Sequence, residues 1–294
     1  MRFQRTFTDP VPKSREEGFA AAGIQPFHSR ASFVGPNTLS VGADVLEGRH
    51  IVLASGARPA PLGIPGEELI AYSEGFLELE ALPRSIVFAG GSYIAFEFAH
   101  LAARAGVLTM ILHRGKRPLE LFDADLVARL LEHTRSLGID VQLETPVEAI
   151  EGEPRCLVVR SGPRRFETEM VVHAAGRTPD LDDLDLPAAG VEREKRGVRV
   201  NEFLQSVSNP IVYAAGDAAA GGGAPLTPVA GYQAAHRGFQ PATCTSPITP
   251  AWLRPYTPSR RSRWWDCRKT PHTGRACASA CTRAIARIGI PRAA

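Results

Sequence analysis

Cysteine and tryptophan are almost missing from most of this chain. Ahead of residue 236 there is one cysteine, Cys156, and no tryptophan. A single thiol with no partner nearby cannot supply a redox pair, and Cys156 reads as a core or strand residue. No paired-cysteine framework of the kind that holds a metal is present, and none is expected. No apolar run approaches the length needed to span a bilayer. The opening Met1-Arg2-Phe3-Gln4-Arg5 lacks the apolar core of a secretory signal. These absences make a cytoplasmic protein with no membrane partner the expectation. Solenoid-type internal repeats are also absent.

Acidic residues are what the end of the chain lacks. Residues 236–294 hold 11 of the 34 Lys+Arg and one of the 31 Asp+Glu, Asp266. Residues 1–235 therefore hold 23 and 30, a balance of −7 against +10 for the end. The same end carries four of five cysteines, all three tryptophans and seven of 24 prolines. Such a shift marks a boundary. Residues 236–294 lack periodicity and are read as a disordered, out-of-frame tail. Permitted codons for His236 to Thr243, shifted by one base, can spell an apolar helical stretch, and so can codons from Ser259 shifted by two. Cys277 and Cys281, with Cys267 and His272 nearby, are then accidents of composition rather than a metal site. Trp264-Trp265 in the basic tail is read the same way, so no nucleic-acid partner is expected.

The body punctuates clearly. Residues 1–50 read as turn-rich, with β candidates at 31–34 and 38–41. His50-Ile51-Val52-Leu53-Ala54 reads as a buried strand closed by Ser55-Gly56. Pro59, Pro61, Pro65 and Pro83 make 59–83 loop and linker. Ser85-Ile86-Val87-Phe88-Ala89 is the short continuous apolar run of a buried parallel strand. Gly90-Gly91 turns the chain into a helix over 93–105, with Ile94, Phe98, Leu101, Ala102 and Ala105 at helical spacing. A second strand spans 108–112. Asp123 caps a second helix through Leu137, stopped by Gly138. Residues 147–174 alternate as a β-meander. A last buried strand spans 211–215, ended by Gly216-Asp217, and a helix begins near Val229.

Four segments carry chemistry. Gly90-Gly91-Ser92-Tyr93-Ile94-Ala95 lies between a strand and a helix. A dinucleotide needs its pyrophosphate on free N–H groups at a helix N-terminus. Gly90 and Ala95 fit the first and third positions of Gly-x-Gly-x-x-Gly/Ala, while Ser92 stands where the second glycine belongs. The next strand ends in His113-Arg114-Gly115-Lys116-Arg117, with no acid to meet ribose hydroxyls and several cations to meet a 2′-phosphate. That favours NADP(H) over NAD(H). Gly216-Asp217, followed by Leu226-Thr227-Pro228, places a carboxylate at a strand end beside a helix start, which suits a sugar or ribityl hydroxyl. Ala175-Gly176-Arg177-Thr178-Pro179 is a further strand exit.

Together these segments resemble the pyridine nucleotide–disulfide oxidoreductases, the family of glutathione reductase, dihydrolipoamide dehydrogenase and mercuric reductase. The likeness covers about residues 1–235. Ala54-Ser55-Gly56 resembles the family's first flavin segment retained in this chain. Gly90–Glu97 resembles its nicotinamide-nucleotide turn, Ala175–Pro179 its Ala-x-Gly-Arg-x-Pro exit, and 213–218 with 226–230 its second flavin segment. The resemblance implies an α/β fold, a Rossmann-like two-domain flavoprotein binding FAD and NADP(H). It implies the later part of an FAD-binding domain over 1–83, an NAD(P)-binding domain over 84–178 and a returning FAD-binding part over 179–235. It also implies roles. Ser55 and Gly56 would lie near the flavin, Asp217 would bind the ribityl chain and Thr227 would sit near the ring. Tyr93 would cover the flavin, Ile94 and Glu97 would line the nicotinamide pocket, Arg114 would bind the 2′-phosphate, and Gly176 would approach the nicotinamide half.

The chain also departs from the family. The family's opening FAD-binding βαβ unit, its Cys-x4-Cys pair and its C-terminal interface domain with an acid–base histidine are not found. The expectation is a chain incomplete at both ends, with no catalytic residue of its own and no surface for the family's homodimer. Three readings stand: an FAD- and NADPH-dependent oxidoreductase in impaired form, a non-catalytic NADP(H)-binding fragment, and a product that does not fold stably. The electron acceptor is left open.

Overall fold

The computed structural model describes residues 2–221 and 223–236. The tail and its cysteines and tryptophans lie outside the described residues. The turn-rich expectation fails over the first part of 1–50, where α1 (Arg2–Thr8) and α2 (Pro10–Ala21) form. Pro10 begins α2, where its missing N–H is no loss and its fixed φ suits the helix. No side chain of α2 is buried, so α2 carries no apolar stripe for a periodicity reading to find. β1 (Ala31–Gly35), β2 (Thr38–Val41) and β3 (Asp44–Glu47) then make an antiparallel meander. β4 (Ile51–Leu53) and β5 (Ala57–Pro59) follow. The stretch expected to be loop contains a 3-10 turn over Glu67–Leu69 and one short α-helix, α3 (Ser73–Leu77), which buries Phe76.

The centre of the molecule is a parallel sheet. Its strands are β6 (Ser85–Ala89), β7 (Leu108–Leu112) and β8 (Asp140–Gln142), linked by α4 (Tyr93–Arg104) and α5 (Ala124–Ser136). The chain then makes the antiparallel meander β9 (Ala149–Glu153), β10 (Cys156–Ser161) and β11 (Arg164–Thr168) before β12 (Met170–His173). The spatial order is β12-β6-β7-β8, all parallel. β6 is central and buried on both faces, because successive side chains point to opposite sides. Ile86 and Phe88 pack with Phe96 and Ala99 of α4 and with Ile111 and Val172. Val87 and Ala89 pack with Ile150, Leu157 and Val159 of the meander. That two-sided burial is why the strand reads as an unbroken apolar run. Cys156 opens β10 as expected of a strand residue, but its side chain is exposed rather than in the core. The alternation of the meander places Leu157 and Val159 inward and leaves position 156 at the strand's open end.

The chain next forms β13 (Arg177–Pro179), β14 (Arg193–Glu194), β15 (Gly197–Val198), β16 (Val212–Ala214) and α6 (Thr227–His236). β13 pairs antiparallel with β5, and β16 pairs in parallel with β4. Residues far apart in sequence therefore share a second core of Phe33, Ile51, Leu53, Leu186, Val198 and Val212. Among the described residues no helix is long and apolar enough to cross a membrane.

Candidate functional site

The carboxyl ends of the parallel strands gather the predicted residues. β6 is flanked by β7, reached through α4, and by β12, reached through the meander, so chain direction diverges at β6. An open α/β sheet forms its ligand crevice outside the strand ends at such a point. The crevice floor is the meeting of two strand exits. Gly90 has φ +116°, and a Cβ there would stand 2.3 Å from the Ala174 carbonyl oxygen and 2.5 Å from the Ala175 Cα. A Cβ on Gly91 would stand 2.7 Å from His113 Nδ1 and 2.8 Å from Pro118 Cβ. Both glycines are therefore demanded by the protein's own packing of β6 against its two neighbours' exits, whatever else approaches them.

Ser92 is the N-cap of α4 by position, with extended backbone, yet its side chain makes no capping hydrogen bond. Its Oγ is buried and has no hydrogen-bond partner among the described residues. The first N–H groups of α4 are thus left without a side-chain acceptor, and the helix dipole adds positive potential at that point. Tyr93 is exposed at the first position of the helix. Ile94 packs partly against the core, and Glu97 one turn on is exposed.

The basic turn after β7 is fastened beside this helix start. Leu119 N–H donates to Gly91 O at 3.2 Å, and Thr145 N–H donates to His113 O at 2.8 Å. His113 Nε2 lies 3.0 Å from Arg117 O. The three cations of the turn are not equivalent. Arg117 donates to Phe122 O at 3.1 Å and Glu120 O at 2.8 Å, so it braces the turn. Arg114 and Lys116 are exposed and make no hydrogen bond or ion pair among the described residues. His113, Pro118 and Arg117 as builders of the turn were missed by sequence reasoning. The only sequence signal for them is the proline that follows a basic run.

The other predicted segments lie at the β4–β16 pair. Ala215 N–H donates to Leu53 O at 3.0 Å, so the exits of the two strands run side by side. Ser55 and Gly56 leave β4, Gly56 with φ +74°. Asp217 leaves β16 half-buried, and its carboxylate has no hydrogen-bond or ion-pair partner among the described residues. Gly216 N–H donates to Gln233 Oε1 at 2.7 Å, which seats α6 against this exit, while its first residue, Thr227, is exposed. Gly176 has φ +118° with open space where a Cβ would stand, and its carbonyl accepts from Ala60 N–H at 3.1 Å. Arg177 donates to Ala57 O, binding β13 to β5. Nearby, hydrogen bonding from Arg193 and the charge of Arg58 hold the Asp182 carboxyl below the usual range. These arginines are occupied by structure. Among the described residues no cluster of side chains suited to a metal ion is found.

Residues 16–235 match the family model of the pyridine nucleotide-disulphide oxidoreductases. The chain belongs to that family. It is 34% identical over 198 residues to a glutathione reductase of Burkholderia cepacia, covering 67% of this chain and 44% of that protein. It is 31% identical over 224 residues to a dihydrolipoyl dehydrogenase of Bacillus subtilis, covering 74% and 46%. Among solved structures, the Cu(II) complex of the HOCl-induced flavoprotein disulfide reductase RclA from Escherichia coli is similar with a TM-score of 0.69 at 26% identity, covering 77% of this chain and 53% of that one. The chain thus spans about half the length of the relatives it matches.

The family is flavin-dependent and uses a pyridine nucleotide, and the residues present fit both groups. The start of α4, which Ser92 leaves uncapped, fits a nucleotide pyrophosphate. The Asp217 carboxylate just past β16, unpartnered among the described residues, fits a polyhydroxyl chain.

Proposed function

We propose that this chain binds a pyridine nucleotide across the Gly90–Ser92 turn and a flavin at the exits of β4 and β16. In this reading it serves a disulfide-reductase-type oxidoreductase in which hydride passes from NADPH to FAD and electrons go on to a disulfide-like acceptor. The observation that carries the reading is the uncapped α4 N-terminus with the free Arg114 fastened beside it. Bound flavin and nicotinamide would supply the hydride chemistry; the chain's residues bind and align.

The N–H groups of Tyr93, Ile94 and Ala95 would hold the pyrophosphate. Gly90 and Gly91 would keep the backbone close enough for that contact. Arg114 would meet the 2′-phosphate, so NADP(H) is preferred over NAD(H). Tyr93 would shield the flavin when no nicotinamide is in place. Ile94, Glu97 and Gly176 would border the nicotinamide. Ser55 and Gly56 would flank the flavin, Asp217 would accept from its ribityl hydroxyls, and Thr227 would lie by its ring. No catalytic residue is assigned within this chain.

The purified full chain tests this. Flavin absorbance that bleaches on anaerobic addition of NADPH is the expected result. A second reading, a non-catalytic NADP(H)-binding unit, is favoured by one observation. The four-stranded sheet has an apolar core on each face, whereas the β4–β16 sheet has two strands. A colourless protein that NADPH stabilises against heat selects that second reading. A colourless protein indifferent to NADPH overturns both.

A further inference from the structure

The turn that carries Arg114 also carries a carboxylate. The chain folds back after Pro118, and Leu119 N–H donates to Gly91 O at 3.2 Å. This brings Glu120 over the middle of the basic turn. A Cβ built on Gly115, the residue next to Arg114, would lie 3.5 Å from Glu120 Oε1 and 2.9 Å from His113 Nε2. Glu120 is exposed, and its carboxylate makes no hydrogen bond or ion pair among the described residues. Arg117, on the same turn, bonds not to this carboxylate but to the Glu120 and Phe122 carbonyl oxygens. The nucleotide end of the crevice therefore presents a free guanidinium and a free carboxylate on one short turn.

These groups select opposite ligands. A cation favours the doubly charged 2′-phosphate, and a carboxylate favours the ribose 2′-hydroxyl while repelling that phosphate. We infer that Glu120 is a specificity-determining residue that holds back the NADP(H) preference of Arg114, so that this turn accepts NAD(H) as well as NADP(H). This rests on the nucleotide site proposed above. A phosphate of nearly two charges within several ångströms of one carboxylate, in water and physiological salt, is disfavoured roughly three- to tenfold.

The test is titration of the purified full chain with NADPH and with NADH, followed by nucleotide fluorescence, for the native protein, E120Q and E120K. Native protein is expected to bind both nucleotides within about tenfold of each other. E120Q is expected to tighten NADPH roughly three- to tenfold while leaving NADH unchanged or weaker, and E120K to extend the same trend. The NADPH gain is expected to shrink in high salt, where the Debye length falls to about 3 Å. If NADPH and NADH affinities move together or not at all in both variants, the role of Glu120 is overturned and the nucleotide site stands. If native protein binds neither nucleotide, the site itself is overturned and the role of Glu120 with it.

Discussion

Ser92 and Gly90 lie two positions apart and bear opposite predictions. A capping serine loses about 1 kcal/mol of stability when changed to alanine. Ser92 makes no cap, and its Oγ is buried without a partner among the described residues, so the hydroxyl is a desolvation cost. Ser92→Ala is therefore expected to stabilise the protein by about 1 kcal/mol, read from a urea melt. A loss of that size would show that the hydroxyl caps α4 in solution. Gly90→Ala would force a Cβ to 2.3 Å from the Ala174 carbonyl oxygen in a left-handed region. A cost of about 3 kcal/mol or more is expected, with nucleotide binding lost as the two strand exits separate. An unchanged melt would mean that these exits do not meet as closely as described. The importance of Gly90 was legible in the sequence, but its cause was not. The pattern pointed to a ligand's phosphate, while the contact that forbids a side chain is Ala174, 84 positions further along the chain, at the exit of another strand.

At the scale of elements, the capped helix and the buried strands could be read and the exposed helices could not. Asp123 accepts from Asp125 N–H at 3.0 Å and Leu126 N–H at 3.1 Å, the cap expected from its place ahead of an amphipathic stretch. Asp123→Ala is expected to cost about 1 kcal/mol; a loss of only a few tenths in the same melt would count against the cap. β6 was legible because burial on both faces leaves one kind of residue to use. α2 was not, because a helix that buries nothing imposes no period on its sequence. The packing of α4 on α5 was also invisible. His100 Nε2 lies 2.9 Å from the buried Thr134 Oγ1, with the His133 ring 5.7 Å away. Partial burial, then the charges of Arg104 and His133, lower the His100 pKa. A histidine with a depressed native pKa takes up fewer protons folded than unfolded, so stability falls as pH drops below the unfolded value of about 6.5 and is unaffected well above it. Thermal midpoints at pH 7.5 and 5.5 should therefore differ less in His100→Gln than in the native chain. An equal drop in both would assign the pH dependence to other groups.

Across the whole molecule, the family reading came from four short segments in order. The structure shows what joins them. Gly90–Ser92 and the 113–117 turn meet at the exits of β6 and β7, while Ser55–Gly56 and Asp217 leave β4 and β16, two strands that pair in parallel. Each of these pairs is fixed by backbone pairing between distant stretches, which no local pattern reveals. The sorting of the basic turn was likewise out of reach, because Arg114, Lys116 and Arg117 look alike in sequence and only Arg117 is bound to carbonyl oxygens. The central claim is that this edge of the parallel sheet is a nucleotide site whose phosphate preference resides in Arg114. It is tested most directly by the thermal midpoint of the full chain with saturating NADPH or NADH, in native protein and Arg114→Ala. NADPH at a hundred times its Kd is expected to stabilise native protein by about 2.7 kcal/mol. Arg114→Ala should lose most of that gain and keep its response to NADH. An Arg114→Ala protein that responds to NADPH as native protein does would contradict the account.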